Sequence, residues 1–331
     1  MKDDSAAVGV RFGVIGCSDI GWRRTMPAML SEPETTLVAV GSRSRDKAAR
    51  FAERFGCDAE SGYQEVLDRD DINAIYIPLP VMQHGEWVER ALLADKHVLV
   101  EKPMTDSHRR ATELTRLAGS RGLVLMENFM FLHHSQHAAA AKLLADGAIG
   151  EMRSFHSAFT IPPKPPGDIR YQPTAGGGAV LDIGVYPIRA AMYFRGPELR
   201  FLGGVLRKDK NLGVVLSGCA LFASPDGVPA QANFGMEQSY RTSYELSGST
   251  GRLSMDRVFT PPDTFQPVVR IERQDHQEEI VLPADAQFVN ILGAFARTVL
   301  HGVDITAYTE STLRLAWLID QVIENAEVIE I

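Results

Sequence analysis

Three cysteines in 331 residues, Cys17, Cys57 and Cys219, are too few and too scattered for a disulfide framework or a metal-ligand spacing. A reducing compartment fits that scarcity, and the expectation is a cytoplasmic protein. No apolar run approaches the roughly 18 residues of a membrane-spanning helix, and Met1-Lys2-Asp3-Asp4-Ser5 is acidic and polar, unlike a secretion signal. The first eight or so residues read as a loose tail. A basic excess is also missing: 34 Lys and Arg stand against 42 Asp and Glu, a net charge of -8. Phosphate-backbone affinity rests on clustered Lys and Arg, so a general nucleic-acid binder is disfavoured. An anionic small ligand then needs a local basic pocket.

What is present is an ordinary globular composition, 45% hydrophobic and 23% charged, in a chain long enough for two domains. From Arg11, short β-rich apolar runs alternate with helical stretches. Residues 11–15, 37–40, 74–77, 98–100 and 123–126 read as strands. Residues 46–55, ended by Gly56, with 86–94 and 107–118, read as helices. The alternation predicts a parallel sheet wound with helices, an α/β Rossmann domain over residues 9–130.

The first strand ends in Gly16-Cys17-Ser18-Asp19-Ile20-Gly21, a dinucleotide fingerprint in which Ser18 stands where the second glycine is usual. Such a turn sets phosphate against a helix N-terminus beginning near Ile20, with Trp22, Arg23 and Arg24 close by. About 20 residues on, where an acid holds the ribose of NAD, the chain reads Gly41-Ser42-Arg43-Ser44-Arg45. Ser42 and Arg43 suit a 2′-phosphate, which points to NADP(H). The competing reading is a solvated surface turn.

At the carboxyl edge of the sheet, where ligands of such folds sit, the third strand runs into Pro78-Leu79-Pro80 and His84. Leu79, Pro80 and His84 are cofactor-contact candidates, with capping or packing as the alternative for the histidine. The next strand delivers Glu101-Lys102-Pro103 to the same edge, and Asn128 follows the strand over 123–126. Downstream, Gly176-Gly177-Gly178 leads to Asp182 and Tyr186, one helical turn apart. Reducing a ketone by hydride needs a proton at the oxygen as charge develops there. A phenol beside an ammonium group can deliver it. Lys102 and Tyr186 are therefore the catalytic candidates, with Asp182 facing the same cleft. The alternatives are a structural Glu101–Lys102 ion pair and a core tyrosine.

In combination these elements resemble the glucose–fructose oxidoreductase, inositol dehydrogenase and rhizopine-catabolism oxidoreductase family. The resemblance is carried by Gly16 to Gly21, Pro80-x-x-x-His84, Lys96-His97-Val98 into Glu101-Lys102-Pro103, and Gly176 through Asp182 to Tyr186. It implies that Glu101-Lys102-Pro103 borders the nicotinamide and that Lys102 lies near the reacting oxygen. Many members carry histidine four residues after the aspartate. Tyr186 is similar instead to the sugar-oxidoreductase and dihydrodiol-dehydrogenase branches.

Past residue 130 a linking helix over 135–146 leads to a second domain, 131–331. Residues 152–160, 201–206, 212–222, 229–236, 242–247 and 268–273 look like strands of an open, largely antiparallel sheet in an α+β domain. Helices are expected over 288–300 and 311–326, the latter packing back on the first domain. The Pro162–Gly167 stretch leads to Arg170, a candidate for cofactor phosphate or substrate, with a salt bridge as the equal alternative. His133, His134 and His137 lack Cys or acidic companions at metal spacing, so no metal is expected. Leu132 stands where many relatives have arginine, which counts against direct transfer of monosaccharide contacts. Residues 126–131, 133–137 and 171–174 most resemble the nucleotide-sugar 3-ketoreductase branch. That implies an NADPH-dependent enzyme acting on a nucleotide-linked keto sugar and forming a tetramer or dimer. A free-aldose or dihydrodiol dehydrogenase and a non-catalytic NADP(H)-binding sensor are the alternatives.

Overall fold

A computed structural model describes residues 9–331, so the expected tail over residues 1–8 lies outside the described residues. Two compact units divide the chain. The first comprises the segment up to Thr105, Arg109–His133 and Phe288–Thr309; the second comprises Asp106–His108, His134–Gln287 and Glu310–Ile331.

In the first unit the chain runs β1 (Val10–Ile15), α1 (Met26–Ser31), β2 (Thr35–Gly41), α2 (Arg45–Phe55), β3 (Asp58–Glu60), α3 (Gln64–Leu67), β4 (Ala74–Ile77), α4 (Val81–Leu93), β5 (His97–Glu101), α5 (His108–Ser120) and β6 (Leu125–Asn128). The six strands lie in the order β3-β2-β1-β4-β5-β6, every pairing parallel. Ala74–Ile77 and Val98–Val100 are fully buried. Helices cover both faces of such a sheet, which is why these strands read as continuous apolar runs rather than alternating ones. The strand order reverses between β1 and β4, and ligands of open α/β sheets bind outside the carboxyl ends at that point. Helix α2 shows how local sequence sets an end: Ser44 caps its N-terminus by accepting from the Lys47 amide, and Gly56 closes it at φ 68°.

The second unit contains α6 (Ser135–Ala145), β7 (Met152–Thr160), α7 (Val185–Arg195), β8 (Arg200–Lys208), β9 (Val215–Ala223), β10 (Pro229–Gly235), β11 (Arg241–Gly248), β12 (Arg252–Asp256), β13 (Val268–Arg273) and β14 (His276–Val281). Then follow α8 (Gln287–His301), α9 (Thr306–Asn325) and β15 (Glu327–Glu330). The nine strands are ordered β14-β13-β12-β11-β7-β10-β9-β8-β15, with only β7–β10 and β8–β15 parallel. Helix α7 packs across β7 and β10. The sheet is open and largely antiparallel, as the sequence suggests.

From Glu310 onward helix α9 belongs to the second unit, whereas α8 completes the first. The reason is the apolar stripe of α8: Ile291, Leu292 and Phe295 are fully buried, and the Phe295 ring lies 5.4 Å from that of Phe12 on β1. Among the described residues, no helix is long and apolar enough to cross a membrane.

Candidate active site

The turn after β1 has the geometry of a phosphate-binding loop. Gly16 sits at φ 116°, and a Cβ there would come within 2.7 Å of the Leu79 side chain, so only glycine serves. Ser18 is not a passive replacement for glycine: its Oγ accepts from the Gly21 amide at 3.0 Å and caps the helical run that starts at Asp19 and passes through the wide π-turn Gly21–Thr25. Asp19 pairs with Arg23 on the surface. Ile20 and Arg24 are half-buried.

At the end of β2, Ser42 is buried and its Oγ accepts from the Ser44 amide at 3.1 Å. Burial pushes the Cys17 thiol up, and a hydrogen bond with Ser42 opposes that, so the phosphate turn and the end of β2 are adjacent. Arg43 and Arg45 are exposed, and the first acid, Asp46, lies in the first turn of α2. A glycine turn at a helix start, with serine and arginine but no carboxylate at the end of β2, fits NADP(H) rather than NAD(H). The Trp22 ring packs against Phe51 and Phe55 of α2 at 4.7 and 5.5 Å, with the Arg54 guanidinium 4.0 Å from its centroid.

His84 is 1% exposed, and its two ring nitrogens lie 2.8 Å from the Pro103 carbonyl and 2.7 Å from the Leu79 carbonyl. Each nitrogen faces a carbonyl and a neutral imidazole has one N–H to give, so His84 donates to one of the two and packs against the other, between two loops at the sheet edge. Burial lowers its proton affinity. It lies at the first helical turn because α4 starts directly after Pro80, five residues earlier than its periodicity suggests. Lys96, part of the motif before β5, donates to the Arg69 and Ile72 carbonyls, both at 2.8 Å, and is structural.

Around Lys102 the edge is tightly tied. The Met104 amide donates to Glu127 Oε1 at 2.7 Å. Glu101 is 9% exposed, and its Oε1 receives Tyr76 Oη and Asn128 Nδ2, each at 2.6 Å. Tyr76 Oη lies 2.9 Å from Thr25 Oγ1. Loss of water raises the Glu101 pKa, and the two donors oppose that rise. Lys102 itself is half-buried.

In the second unit, the glycine run clasps the loop that carries Arg170. The Gly177 amide donates to the Gln172 carbonyl and the Gly178 amide to the Arg170 carbonyl, both at 2.9 Å. Arg170 Nε then donates to Asp182 Oδ2 at 2.7 Å, and its Nη1 reaches Asp168 at 3.1 Å. Of the two readings of Arg170, the salt bridge is the one observed, because two carboxylates neutralise the guanidinium. Asp182 lies in the π-helical segment Val180–Gly184, which continues into α7. Tyr186, 5% exposed, is held between Phe159 and Phe259, with ring centroids 5.1 and 5.4 Å away. Lys102 belongs to the first unit and Tyr186 to the second.

Residues 10–129 match the model of an oxidoreductase family with an NAD-binding Rossmann fold, GFO/IDH/MocA, and residues 137–254 match the GFO/IDH/MocA C-terminal domain. The chain belongs to the GFO/IDH/MocA family. Within it, the chain is 55% identical over 322 residues to a dTDP-3,4-didehydro-2,6-dideoxy-α-D-glucose 3-reductase of Actinomadura kijaniata, covering 97% of each chain. It is 54% identical to the enzyme of the same name from Streptomyces antibioticus, covering 96% of this chain and 98% of that one. The crystal structure of KijD10, a 3-ketoreductase from Actinomadura kijaniata in complex with NADP and TDP-benzene, superposes with a TM-score of 0.96 at 55% identity, covering 98% and 99% of the two chains.

Sequence reading alone missed two residues that are tied to Glu101, Tyr76 directly and Thr25 through Tyr76. A signal for the first was available. A tyrosine inside a wholly buried strand has to find a partner for its hydroxyl. Thr25 carried none, since its role depends on which face of the sheet the π-turn covers. Among the described residues, no group of three or more His, Cys, Asp or Glu side chains is arranged to hold a metal ion.

Proposed function

We propose that the chain is an NADPH-dependent reductase of the C3 ketone of a dTDP-3,4-diketo-2,6-dideoxyhexose, acting in the assembly of an antibiotic deoxysugar. The observation that carries this is its 55% identity, over 97% of the chain, to a dTDP-sugar 3-reductase. Gly16, Ser18, Asp19, Ile20 and Gly21, with Arg23 and Arg24, hold the pyrophosphate in this reading. Ser42 and Arg43 take the 2′-phosphate, while Leu79, Pro80, Glu101 and Asn128 border the nicotinamide half. When bound, NADPH supplies the hydride.

Hydride arrival at a ketone carbon builds negative charge on the oxygen, and the residues that matter stabilise that oxygen more than the ground-state carbonyl. Lys102 polarises the carbonyl with its positive charge. Tyr186 gives the proton from its hydroxyl, a group that retains its proton at neutral pH in its ordinary state. Phe159 and Phe259 fix the phenol ring and keep water from it. Asp182, paired with Arg170, anchors the preceding turn of the same helical run.

The test is a spectrophotometric assay of the purified protein with NADPH and the dTDP-diketosugar, beside free aldoses with NADP. The expected result is NADPH consumption with the nucleotide sugar alone. Oxidation of free aldoses without reduction of the diketosugar would replace this reading by an aldose dehydrogenase, and no turnover with either would favour a sensor. We also assign the protein to the cytoplasm and to a tetramer or dimer. Exposed Leu202 and Val205 on β8 and Leu221 on β9 support self-association. Analytical ultracentrifugation showing only monomers would dismiss it.

A further inference from the structure

We propose that Tyr76 is a positioning residue for this reaction: its hydroxyl holds Glu101 as an anion in a fixed place beside Lys102, and Thr25 secures that hydroxyl from the helix after the phosphate turn. The proposal rests on the reductase reading for its kinetic consequence and on the fold alone for its structural one.

Strand register brings the groups together. Tyr76 on β4 pairs with Leu99 on β5, and Glu101 lies two residues further along β5, on the same face of the sheet. Glu101 in turn pairs with Asn128 on β6. Three side chains from three adjacent strands therefore share one face, and Thr25 reaches Tyr76 from the helical segment after the turn.

Proton counting fixes the direction of each bond. A phenol has one hydrogen, and the 2.6 Å contact to Glu101 Oε1 has the length of a charge-assisted O–H···O⁻ bond. Tyr76 therefore donates to Glu101, and at 2.9 Å Thr25 donates to the Tyr76 oxygen. Asn128 Nδ2 gives a second hydrogen to the same Oε1. Two donors on one oxygen stabilise the carboxylate more than the neutral acid, because the anion is the stronger acceptor, so the arrangement favours the carboxylate against the effect of burial. Burial, followed by the neighbouring Glu101, raises the Tyr76 pKa well above its ordinary value, which keeps the phenol a donor. The charged neighbour of Glu101 is Lys102, the residue that follows the end of β5. His84 of α4 and Glu127 of β6 tie down the turn that follows, through Pro103 and Met104.

Tyr76→Phe removes one oxygen and keeps the ring, so the strand stays packed. Without that donor, the Glu101 carboxyl is easier to protonate. In protein labelled with ¹³C at the Glu carboxyl, with Glu101 assigned by its loss in Glu101→Gln, the midpoint is expected to move up by about one pH unit, since a carboxylate's hydrogen bonds hold its pKa down. The acid limb of the kcat profile is expected to move the same way, with NADPH affinity within about twofold of wild type because the phosphate contacts are untouched. Thr25→Val should move both in the same direction by less. An unmoved Glu101 midpoint in Tyr76→Phe overturns the proposal, whatever the activity. A moved midpoint with an unmoved acid limb overturns the link to reduction. Absence of diketosugar reduction by the wild-type protein falsifies the reductase reading alone, because the carboxyl titration needs no substrate.

Discussion

A methyl group at Gly177 is the smallest change that should disturb the second-unit half of the site. A Cβ placed there would lie 2.6 Å from the Arg170 carbonyl oxygen and 2.8 Å from both the Arg170 carbonyl carbon and the Gln172 oxygen. All three are backbone atoms, so no side chain can turn aside. Ordinary contact begins at 3.4 Å, and relief requires the 170–172 segment to retreat by about 0.8 Å. Overpacking of this kind costs about 1–3 kcal/mol. The same retreat stretches the 2.7 Å Arg170–Asp182 bond to the limit of hydrogen bonding.

Gly177→Ala should therefore lower the Tm of the second unit by roughly 3–10 °C, given the scaling for a domain of this size. The reduction rate should fall on the order of tenfold through misplacement of the helical turn that carries Asp182. NADPH affinity, a property of the other unit, should not change. Scanning calorimetry, fluorescence titration with NADPH and steady-state kinetics read the three quantities. Gly119 near the end of α5 is the control: a Cβ there meets nothing within 4 Å, and Ala should raise stability by about 0.5–1 kcal/mol. A Gly177→Ala protein with unchanged Tm and turnover would refute the clash argument.

Tyr186→Phe should slow reduction while leaving the Kd for NADPH nearly unchanged, because the hydroxyl acts on the sugar; unaltered single-turnover rates would remove Tyr186 from the proton-donor role. For Arg43→Ala, affinity for NADPH should drop by roughly tenfold or more, with NADH little affected, as expected for loss of one charge-assisted phosphate contact; isothermal titration showing equal loss for both would discard the 2′-phosphate assignment. His137 is buried, and burial, then the nearby His134, depress its pKa to about 3. The unfolded value is near 6.5, so its contribution is fully present above about pH 6.5 and is lost as pH falls toward 3, with a slope of up to about 1.4 kcal/mol per pH unit. His137→Gln should flatten that part of the urea-denaturation profile, and an identical slope would refute the assignment.

The parallel sheet was legible because β4 and β5 are apolar on both faces, a pattern few other elements produce. Strand β3 was not: its three residues are mostly exposed and carry no apolar signature, and it exists by pairing with β2. Strands β14 and β15 escaped for the same reason, being mostly exposed edge strands, whereas β12 is only five residues long with two buried apolar side chains, Leu253 and Met255. The glycine run and Asp182–Tyr186 stood out as motifs, yet their use of Arg170 depends on a loop closing back over about ten residues, which local pattern does not encode. For Trp22 and His84, sequence adjacency to a motif says nothing about side-chain direction. The Trp22 ring turns to α2, and the His84 imidazole turns to two carbonyls.

The dependence of β1 on Phe295 bears on how this protein is made. A fragment ending near residue 130 would leave Phe12 without the ring that covers it, so the nucleotide-binding half cannot be excised by cutting at its apparent boundary. During translation, the amino-terminal sheet has to wait for the intervening 150 or so residues to emerge before its last layer arrives. Pulse-labelled ribosome-bound chains truncated before α8 should accordingly remain protease-sensitive in the sheet that was synthesised first.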